Sequence, residues 1–491
     1  MENNSKFRNH VSVILENSLK TIGTVLAIFI LNIISDMGEA GISSADIVFL
    51  IVIFVVVLAV ALGIQTFFWA KTYISVEENT LVVERNTLNK KRNTIGLKNI
   101  SNVNLEQNLL EMILGTCKVK LDTNSLSTAD ETDVNIVLKK ADAEQFRSWV
   151  LAKAEGRDVN ETVPTEVKHA ESDTNEECGI IGQIGDIILH GIFSIRITML
   201  VLLIGIVALQ IWNITELGTE LGETIGEIIA SLFVAFYFAA LIAWGIVKEF
   251  FKYLNFRIER KKDKVYLSYG LFKKVAYSVP VDKINGIRLA QTPLARMGRR
   301  YMVEIINVGM DDDENEMNTF FLPYNKLENI QKQLHQLLPE FDGALEIKEE
   351  KQPKAVWLLS LPWLVLYIFV AWIVYTLVGT YAPDRSLQEG VIAAAVVVLI
   401  WRTITKLAGF LTKAIKVDDR FLKIVDGKFA RRILLVKYDK IQYVTGRQCV
   451  IAKRFKIQKG TISLLAALKN RIHELPYFKE NDMEQLKSKL I

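Results

Sequence analysis

The sequence predicts a multi-domain membrane protein in which six transmembrane α-helices form three hairpins, and each hairpin precedes a β-domain that ends in a helix. Two observations predict this fold class. The chain of 491 residues is 50% hydrophobic and has a mean hydropathy of +0.23, which is high for a water-soluble protein. A short segment also recurs three times, each time after a pair of apolar runs. We therefore expect three copies of one structural unit.

Apolar runs supply the predicted spans. Four of them approach the roughly 20 residues that a helix needs to cross a bilayer. They are Ile47–Trp69, Ile197–Trp212, Ile225–Val247 and Ala355–Val378. Two weaker runs, Thr21–Ser35 and Val391–Trp401, complete the pattern, and the second is long enough only if it continues past Arg402 toward Phe410. A buried core helix remains the alternative for these two runs.

Basic residues orient the predicted spans. The loops within the hairpins, 36–46, 213–227 and 380–389, contain one of the 59 Lys and Arg residues of the chain, Arg385. The other charged residues of these loops are acidic. Because Lys and Arg concentrate on the cytoplasmic side of membrane proteins, we expect both termini and all three β-domains in the cytoplasm.

The repeated segment has the copies Leu97–Ile113, Val281–Met297 and Tyr438–Arg454. Each copy has Ile at its fourth position and Gln seven residues later. These repeat-defining residues are Ile100, Gln107, Ile284, Gln291, Ile441 and Gln448. We interpret the isoleucines as core residues. A side-chain amide has donors and an acceptor, so we interpret the glutamines as partners of backbone groups where the chain bends.

Strand-like runs separated by turn signals follow each hairpin, and a helical stretch closes each copy. The helical stretches are Ala141–Leu151, Lys326–Leu338 and Lys479–Leu490. The predicted hairpins are 18–70, 195–247 and 355–412, the β-domains are 71–152, 253–340 and 413–491, and the linkers are 153–190 and 341–354. Acidic residues outnumber basic ones in the first linker, which predicts a solvated segment.

The chain offers no recognisable catalytic or metal-binding pattern. The five histidines, which show no metal-ligand spacing, are His10, His169, His190, His335 and His473. Three cysteines stand singly and far apart, so no disulfide framework or paired-cysteine metal site is expected. No phosphate-binding loop, nucleophile elbow or zinc-protease motif occurs. We expect a non-enzymatic protein without catalytic residues, cofactor, metal ion or nucleic-acid partner.

The order of these features resembles a known family. A hairpin of spans, strands, a segment like Val279–Ile284 (VPVDKI) with Gln downstream, further strands and a closing helix is similar to the bacterial pleckstrin-homology (PH) membrane proteins of the second class. The triple arrangement is similar to the YdbT-like members. The first copy lacks the Pro and the Asp of this segment, and the third lacks the Pro. The resemblance implies a PH-like β-sandwich or barrel, in which two small antiparallel sheets pack across each other and the C-terminal helix covers one end.

The resemblance also implies a function. Such members are associated with a smaller membrane protein that carries one hairpin and one PH domain, and with resistance to antimicrobial peptides (bacteriocins). We therefore expect a scaffold in the bacterial cell membrane that contacts the lipid bilayer and such a partner, in peptide resistance or envelope stress. The alternative is a transporter, or an export component for a peptide or lipid, although the spans offer little polarity beyond Asn32, Gln65 and Gln210.

Basic residues at the start of the second β-domain are the candidate lipid-headgroup contacts. They are Arg257, Arg260, Lys261 and Lys262. Close to an inner leaflet, each such charge gains about 1 kcal/mol from anionic lipid. Cytoplasmic topology alone also places basic residues here, so the sequence leaves both interpretations open.

Overall fold

The structure is a computed structural model, and it describes residues 6–19, 22–24, 26, 44–77, 79–87, 89–123, 134–154, 179–216, 221–307, 320–381, 385–466 and 468–490. Contacts divide the chain into two compact units. The first comprises Met1–Glu177 and Tyr266–Val279, and the second comprises Cys178–Val265 and Pro280–Ile491.

From the helix before the first β-strand of each domain to the closing helix, secondary structure recurs in the same order in the three repeats, except for the additional α13 in the third. The first repeat contains β1 (Lys6–Phe7), α1 (12–19), α2 (Ser44–Ala70), β2 (Thr72–Glu77), β3 (Thr80–Asn86), β4 (Lys90–Gly96), β5 (Ile100–Gln107), α3 (Leu109–Leu114), β6 (Thr116–Thr123), β7 (Val134–Lys139) and α4 (Lys140–Ala154). The second contains β8 (Gly179–Ile181), α5 (Ile184–Phe193), α6 (Ile197–Glu216), α7 (Leu221–Tyr253), β9 (Arg257–Lys261), β10 (Lys264–Tyr269), β11 (Lys274–Pro280), β12 (Ile284–Gln291), α8 (Pro293–Met297), β13 (Arg300–Asn307), β14 (Phe320–Lys326) and α9 (Leu327–Leu337). The third contains β15 (Glu350–Lys351), α10 (Leu361–Tyr381), α11 (Arg385–Thr412), β16 (Ala414–Val417), β17 (Phe421–Gly427), β18 (Arg431–Lys437), β19 (Ile441–Arg447), α12 (Val450–Arg454), β20 (Ile457–Leu464), α13 (Leu468–Arg471), β21 (Ile472–Lys479) and α14 (Glu480–Ser488).

The predicted β-domains with closing helices are confirmed. The closing helices α4, α9 and α14 fall on the three predicted helical stretches, within a few residues at each end. A short 3-10 turn precedes β5, β12 and β19, at Leu97–Asn99, Val281–Lys283 and Tyr438–Lys440. Each repeat therefore places its repeated segment at the same point, where the chain leaves one sheet for the next.

The first unit contains two antiparallel sheets. One has the strand order β1-β2-β3-β4, and the other has the order β7-β6-β5-β11-β10. Side chains from both sheets and from α4 meet in one core, in which Leu81, Val103 and Phe146 are completely buried. Burial of this kind supplies most of the stabilisation, at about 25 cal/mol per Å² of apolar surface.

The second unit contains a long antiparallel sheet with the order β14-β13-β12-β18-β17-β16-β15 and a shorter sheet with the order β19-β20-β21. The core of the third repeat lies between them. Leu422 and Val436 enter it from the long sheet, and Ile462 enters from the short one. Met483 and Leu486 on α14 close this core, as the amphipathic spacing of a closing helix requires.

A very short strand precedes the apolar helices of each repeat. β1 pairs with β2, β8 pairs with β9, and β15 pairs with β16. β8 and β15 lie within the segments predicted as linkers, 153–190 and 341–354, and residues 155–178 of the first linker lie outside the described residues. Strands of two or three residues are too short to leave a periodic pattern in the sequence.

Within the described residues, four helical segments are long and apolar enough to cross a membrane. They are Ile51–Ala70, Leu232–Tyr253, Lys354–Tyr381 and Arg385–Thr412. A fifth exists if Ile184–Phe193 and Ile197–Leu209, which meet at a 61° bend, form one span. α6 packs on α7, and α10 packs on α11.

The two weaker predicted spans have different outcomes. Val391–Trp401 lies inside α11, whose most apolar stretch buries none of its residues, so a buried core helix is excluded there. α11 continues past Arg402, as a complete span requires. Most of Thr21–Ser35 falls outside the described residues.

Candidate functional site: the strand edge that joins the repeats

The three repeated glutamines make the same hydrogen bond. Nε2 of Gln107, Gln291 and Gln448 donates to the backbone carbonyls of Thr116, Arg300 and Ile457, over 2.7, 2.9 and 3.1 Å respectively. Each acceptor lies nine residues after its glutamine, at the start of the next strand. The amide thus ties together the two ends of a loop, and its role is structural.

Each of these loops contains a short helix, but only two of the helices are capped by a side chain. Asn108 and Glu111 form a reciprocal capping box on α3, and the side chain of Thr292 caps α8. Cys449 stands at the cap position of α12 and makes no such hydrogen bond. The third loop therefore lacks the side-chain helix cap that the other two loops have.

Strand β5 joins the first repeat to the second. It pairs antiparallel with β11, and the register places Glu106 opposite Val275. Glu106 is nearly fully buried, and its carboxylate lies 3.0 Å from Nζ of Lys120 and 3.3 Å from Nζ of Lys273. A buried carboxylate needs such partners because its removal from water is costly. Lys273, which precedes β11, belongs to the second repeat, so the joint combines strand pairing with an ion pair.

Strand β12 joins the second repeat to the third. It pairs antiparallel with β18 over six residue pairs. Gly286 permits this close approach, since a Cβ there would lie 2.9 Å from the carbonyl oxygen of Leu435. Arg288 adds a side-chain hydrogen bond of 2.6 Å to Asn470. The same edge of two successive repeats is therefore occupied by a strand of the next repeat.

Strand β19 is the third copy of this edge, and among the described strands only β20 pairs with it. In β12 the side chains of Ile284 and Ile287 are at most 1% exposed. Their equivalents in β19, Ile441 and Val444, are only partly buried, and Tyr443 is exposed. The outer side of β19 thus retains the backbone groups that β5 and β12 use for pairing.

The surface beside β19 is both apolar and basic. The exposed side chains of this surface are Arg447, Val450, Ile451, Lys453, Arg454 and Phe455. Val450 is 89% exposed. We call β19 together with α12 the open edge. Exposed apolar side chains next to an unpaired strand are typical of a protein-binding surface.

Strand β4 is the first-repeat equivalent of β11 and β18, and among the described strands it pairs with β3 alone. Its sequence, KKRNTIG, begins with the exposed cations Lys90, Lys91 and Arg92. The paired strands β11 (KVAYSVP) and β18 (RRILLVK) are more apolar. β4 therefore offers a further strand fewer apolar side chains than β11 or β18 does, and its successive cations oppose pairing with a basic strand.

The predicted lipid contact Arg260 lies in an ion pair within its own domain. Its guanidinium is 2.7 Å from the carboxylate of Glu340 and also donates to the backbone carbonyl of Leu337 over 3.0 Å. The hydrogen bond from Arg260 lowers the pKa of Glu340. Part of the positive charge of Arg260 is therefore offset inside the domain.

The other three predicted lipid contacts lie on the same β9–β10 hairpin. Arg257 and Lys261 approach the carboxylate of Glu259 to 3.3 and 3.2 Å. Lys262 is exposed at the turn, where its φ of 53° is left-handed. The hairpin therefore presents a surface of mixed charge on which Lys262 is exposed, and lipid contact here stays a prediction.

Within the described residues, no group of three or more His, Cys, Asp and Glu side chains is placed to hold a metal ion. Cys117 is buried, and burial raises the pKa of its thiol to about 12. Burial also lowers the pKa of His473 to about 4. A thiol with so high a pKa is a poor nucleophile at neutral pH.

A comparison with protein families agrees with this architecture. The family model described as "Bacterial PH domain" matches residues 25–154, 187–338 and 355–491. The chain belongs to the bacterial PH domain family. Each matched range covers at least one apolar helix followed by one β-domain. Searches of curated proteins and of solved structures found no match to this chain.

The sequence located the repeated segment of this PH-domain chain but not the pairing between PH domains. Two signals were available. The apolar character of β11 and β18 contrasts with the charge of β4, and Gly286 interrupts an otherwise ordinary strand. Neither signal identifies the pairing between repeats unless the neighbouring strand is known.

Proposed function

We propose that this chain is a non-enzymatic membrane scaffold that recruits a further PH-domain protein by strand pairing at the open edge. The observation that carries the proposal is the repeated joint. β5 and β12 each pair with the next PH domain, whereas β19 has no such partner among the described strands. The proposed occupant is the edge strand equivalent to β11 and β18 in a smaller membrane protein with one PH domain.

Charge argues against a second copy of this chain as the occupant. In both joints the repeated glutamine faces the first residue of the incoming strand, Lys274 or Arg431. Carried over to β19, this register places Arg447 opposite the second residue of the incoming strand. In a second copy that residue is Lys91, and like charges directly opposite each other destabilise a strand pair.

The same register defines the chemistry of the partner strand. Arg447 occupies in the third repeat the position that Glu106 occupies in the first, where an incoming lysine pairs with the carboxylate. The charge at this position is therefore negative in the first repeat and positive in the third. We infer a partner strand that is apolar in its middle and acidic at or before its second residue, and Lys453 and Arg454 extend the same preference.

The membrane setting supports the scaffold role. α2 ends at Ala70 and β2 begins at Thr72, and α11 ends at Thr412 and β16 begins at Ala414. With so little chain between helix and sheet, these two PH domains are held close to the ends of apolar helices. We propose that the PH domains and both termini face the cytoplasm, which the acidic intra-hairpin loops support.

A charge-swap titration tests the open edge. The probe is a synthetic peptide of Phe421–Lys437, which contains the β17–β18 hairpin. In the chain, β18 pairs with β12, and Arg432 lies opposite Ala290, the β12 residue equivalent to Arg447. The full chain in lipid nanodiscs is titrated with the peptide, and fluorescence anisotropy gives the Kd. We expect the peptide with Arg432→Glu to bind more tightly than the unmodified peptide, and the order to reverse in the Arg447→Glu protein. An opposite-charge cross-strand pair contributes about 0.2–1 kcal/mol, so each preference is about 1.4–5-fold.

Hydrogen exchange locates the bound peptide and identifies competing occupants. We expect protection at residues 442–447, and the matched protein variant Lys332→Glu, which changes charge on the exposed side of α9, should keep the original peptide order. An order that does not reverse in the Arg447→Glu protein, or protection elsewhere in the chain, refutes strand recruitment. If hydrogen-exchange protection of residues 442–447 rises with protein concentration in the absence of peptide, the open edge binds a second copy of the chain.

We propose, in addition, that the scaffold and its partner act in resistance to antimicrobial peptides or in envelope stress, as the resemblance to YdbT-like proteins implies. In the native host, Arg447→Glu should increase sensitivity to cationic peptides, and Lys332→Glu should not. Unchanged sensitivity after deletion of the whole gene would remove the resistance role and leave strand recruitment standing.

A further inference from the structure

An apolar groove runs between α10 and α11. It holds about 510 Å³, and Leu364, Val370 and Leu399 are among its wall residues. Both helices are long and apolar enough to cross a membrane, and their side chains along this stretch are largely exposed. A groove of this kind in a membrane is open to acyl chains.

The groove leads into a second cavity of about 300 Å³. Both cavities share the wall residues Trp357, Ser360, Trp363 and Lys406, so they are continuous. The second cavity lies where α10 begins and α11 ends. A volume of this size is at the lower end of the range for small-molecule sites, which fits a polar headgroup.

The second cavity is basic. Its lysines are Lys406, Lys413, Lys428 and Lys459, and no Asp or Glu is among its described wall residues. Two of these charges are already compensated. Lys413 lies 2.8 Å from Asp426, and Lys459 lies 2.9 Å from Glu474. Lys406 and Lys428 are exposed, and no ion pair is described for either.

The position of the charges matches the depth of lipid phosphates. Lys406 is six residues before the end of α11, a distance of about 9 Å along the helix axis. Trp357 precedes α10, and Trp and Lys side chains concentrate where a helix meets the headgroup layer. The cations therefore stand at the mouth of an acyl-sized groove.

We propose that this continuous cavity binds one anionic phospholipid, with its phosphate at Lys406 and Lys428 and an acyl chain between α10 and α11. The site is distinct from the β9–β10 hairpin, where Arg257, Arg260 and Lys261 approach the carboxylates of Glu259 and Glu340. A lipid fits better than a free phosphate ion because a free ion leaves the apolar part of the cavity unused.

Lipid selectivity of the full chain tests the site. The protein is reconstituted in phosphatidylcholine nanodiscs, and spin-labelled phosphatidylglycerol and phosphatidylcholine are compared at equal mole fraction by electron paramagnetic resonance. We expect a preference for phosphatidylglycerol, reduced about five-fold for each of Lys406→Gln and Lys428→Gln, since each charge contributes on the order of 1 kcal/mol near an anionic surface. Leu364→Trp, which fills the groove and keeps the lysines, should also reduce the preference.

The matched control is the double variant Lys332→Gln with Lys487→Gln, which removes two exposed charges from α9 and α14 and should keep the preference. An unchanged preference in the Lys406→Gln, Lys428→Gln double variant overturns the site. Two results together would assign the pocket to a soluble anion and overturn the lipid assignment. Inorganic phosphate or glycerol phosphate at millimolar concentration would abolish phosphatidylglycerol binding, and Leu364→Trp would have no effect.

Discussion

Gln291→Ala should destabilise the start of β13, and Gln448→Ala should destabilise the start of β20 by a smaller amount. Gln291 is 4% exposed, and its amide donates to the backbone carbonyl of Arg300 over 2.9 Å. Because Gln291 is buried, water does not readily replace its amide, and a carbonyl left without its donor in such a place costs about 1–3 kcal/mol. Gln448 is exposed, so water replaces its amide in the Gln448→Ala variant, and the loss is about 0.5 kcal/mol.

Native-state hydrogen exchange measures this difference directly, because local opening free energies set the exchange rates of protected amides. A loss of 1–3 kcal/mol corresponds to an increase of about 5–160-fold in the exchange rate near Arg300, and 0.5 kcal/mol corresponds to about two-fold near Ile457. Gln485→Ala on the exposed side of α14 is the control and should change neither rate. Equal acceleration at both loops would refute the reasoning that burial at the occupied edge gives Gln291 its larger effect.

Three further expectations concern orientation, acid stability and lipid. A cysteine introduced at Ser386 should be labelled from outside intact cells, and Cys449 should be labelled only after permeabilisation. Cys117 is buried and should resist labelling from either side. The reverse pattern for Ser386 and Cys449 would overturn the proposed orientation. The hydrogen bond from Arg260 lowers the folded-state pKa of Glu340, so the pair stabilises the fold above the unfolded pKa and loses this effect as pH falls through the folded pKa. Arg260→Gln should therefore lower Tm more at pH 7 than at pH 3, as scanning fluorimetry can show, because the hydrogen bond to Leu337 is lost at both pH values. If the β9–β10 hairpin contacts headgroups, Lys262→Gln should reduce the Tm increase that phosphatidylglycerol gives, with Lys332→Gln as the control.

Much of the fold followed from the sequence because its signals are local. Strands β9, β10 and β11 are strand-like runs that follow the second predicted hairpin, and the turn between β10 and β11 contains Gly270, whose φ of 107° is left-handed. The repeated glutamines pair with backbone carbonyls as an amide in a bend should. The weak run Val391–Trp401 also belongs to a long helix, because Arg402 and Lys406 extend from its apolar surface rather than ending it.

The joints between repeats did not follow from the sequence because they consist mostly of backbone hydrogen bonds. Such bonds are available to any strand, so they leave little trace in residue types. β5 differs from an isolated edge mainly by Glu106, and a single acidic residue in a strand has many ordinary explanations. The ion pair with Lys273 became visible only when the two strands were brought together.

Two edge strands, β4 and β19, have a neighbour on one side only among the described strands. A chain of identical units that presented a complementary strand at each end would polymerise, since each copy could add to the next. Here β4 carries Lys90, Lys91 and Arg92, and the open edge carries Arg447, so we expect like charges to disfavour this contact between two copies of the chain. A different PH-domain protein with an acidic strand avoids that repulsion. We therefore propose that the charge on β4 limits self-assembly and that the open edge binds a partner of different sequence.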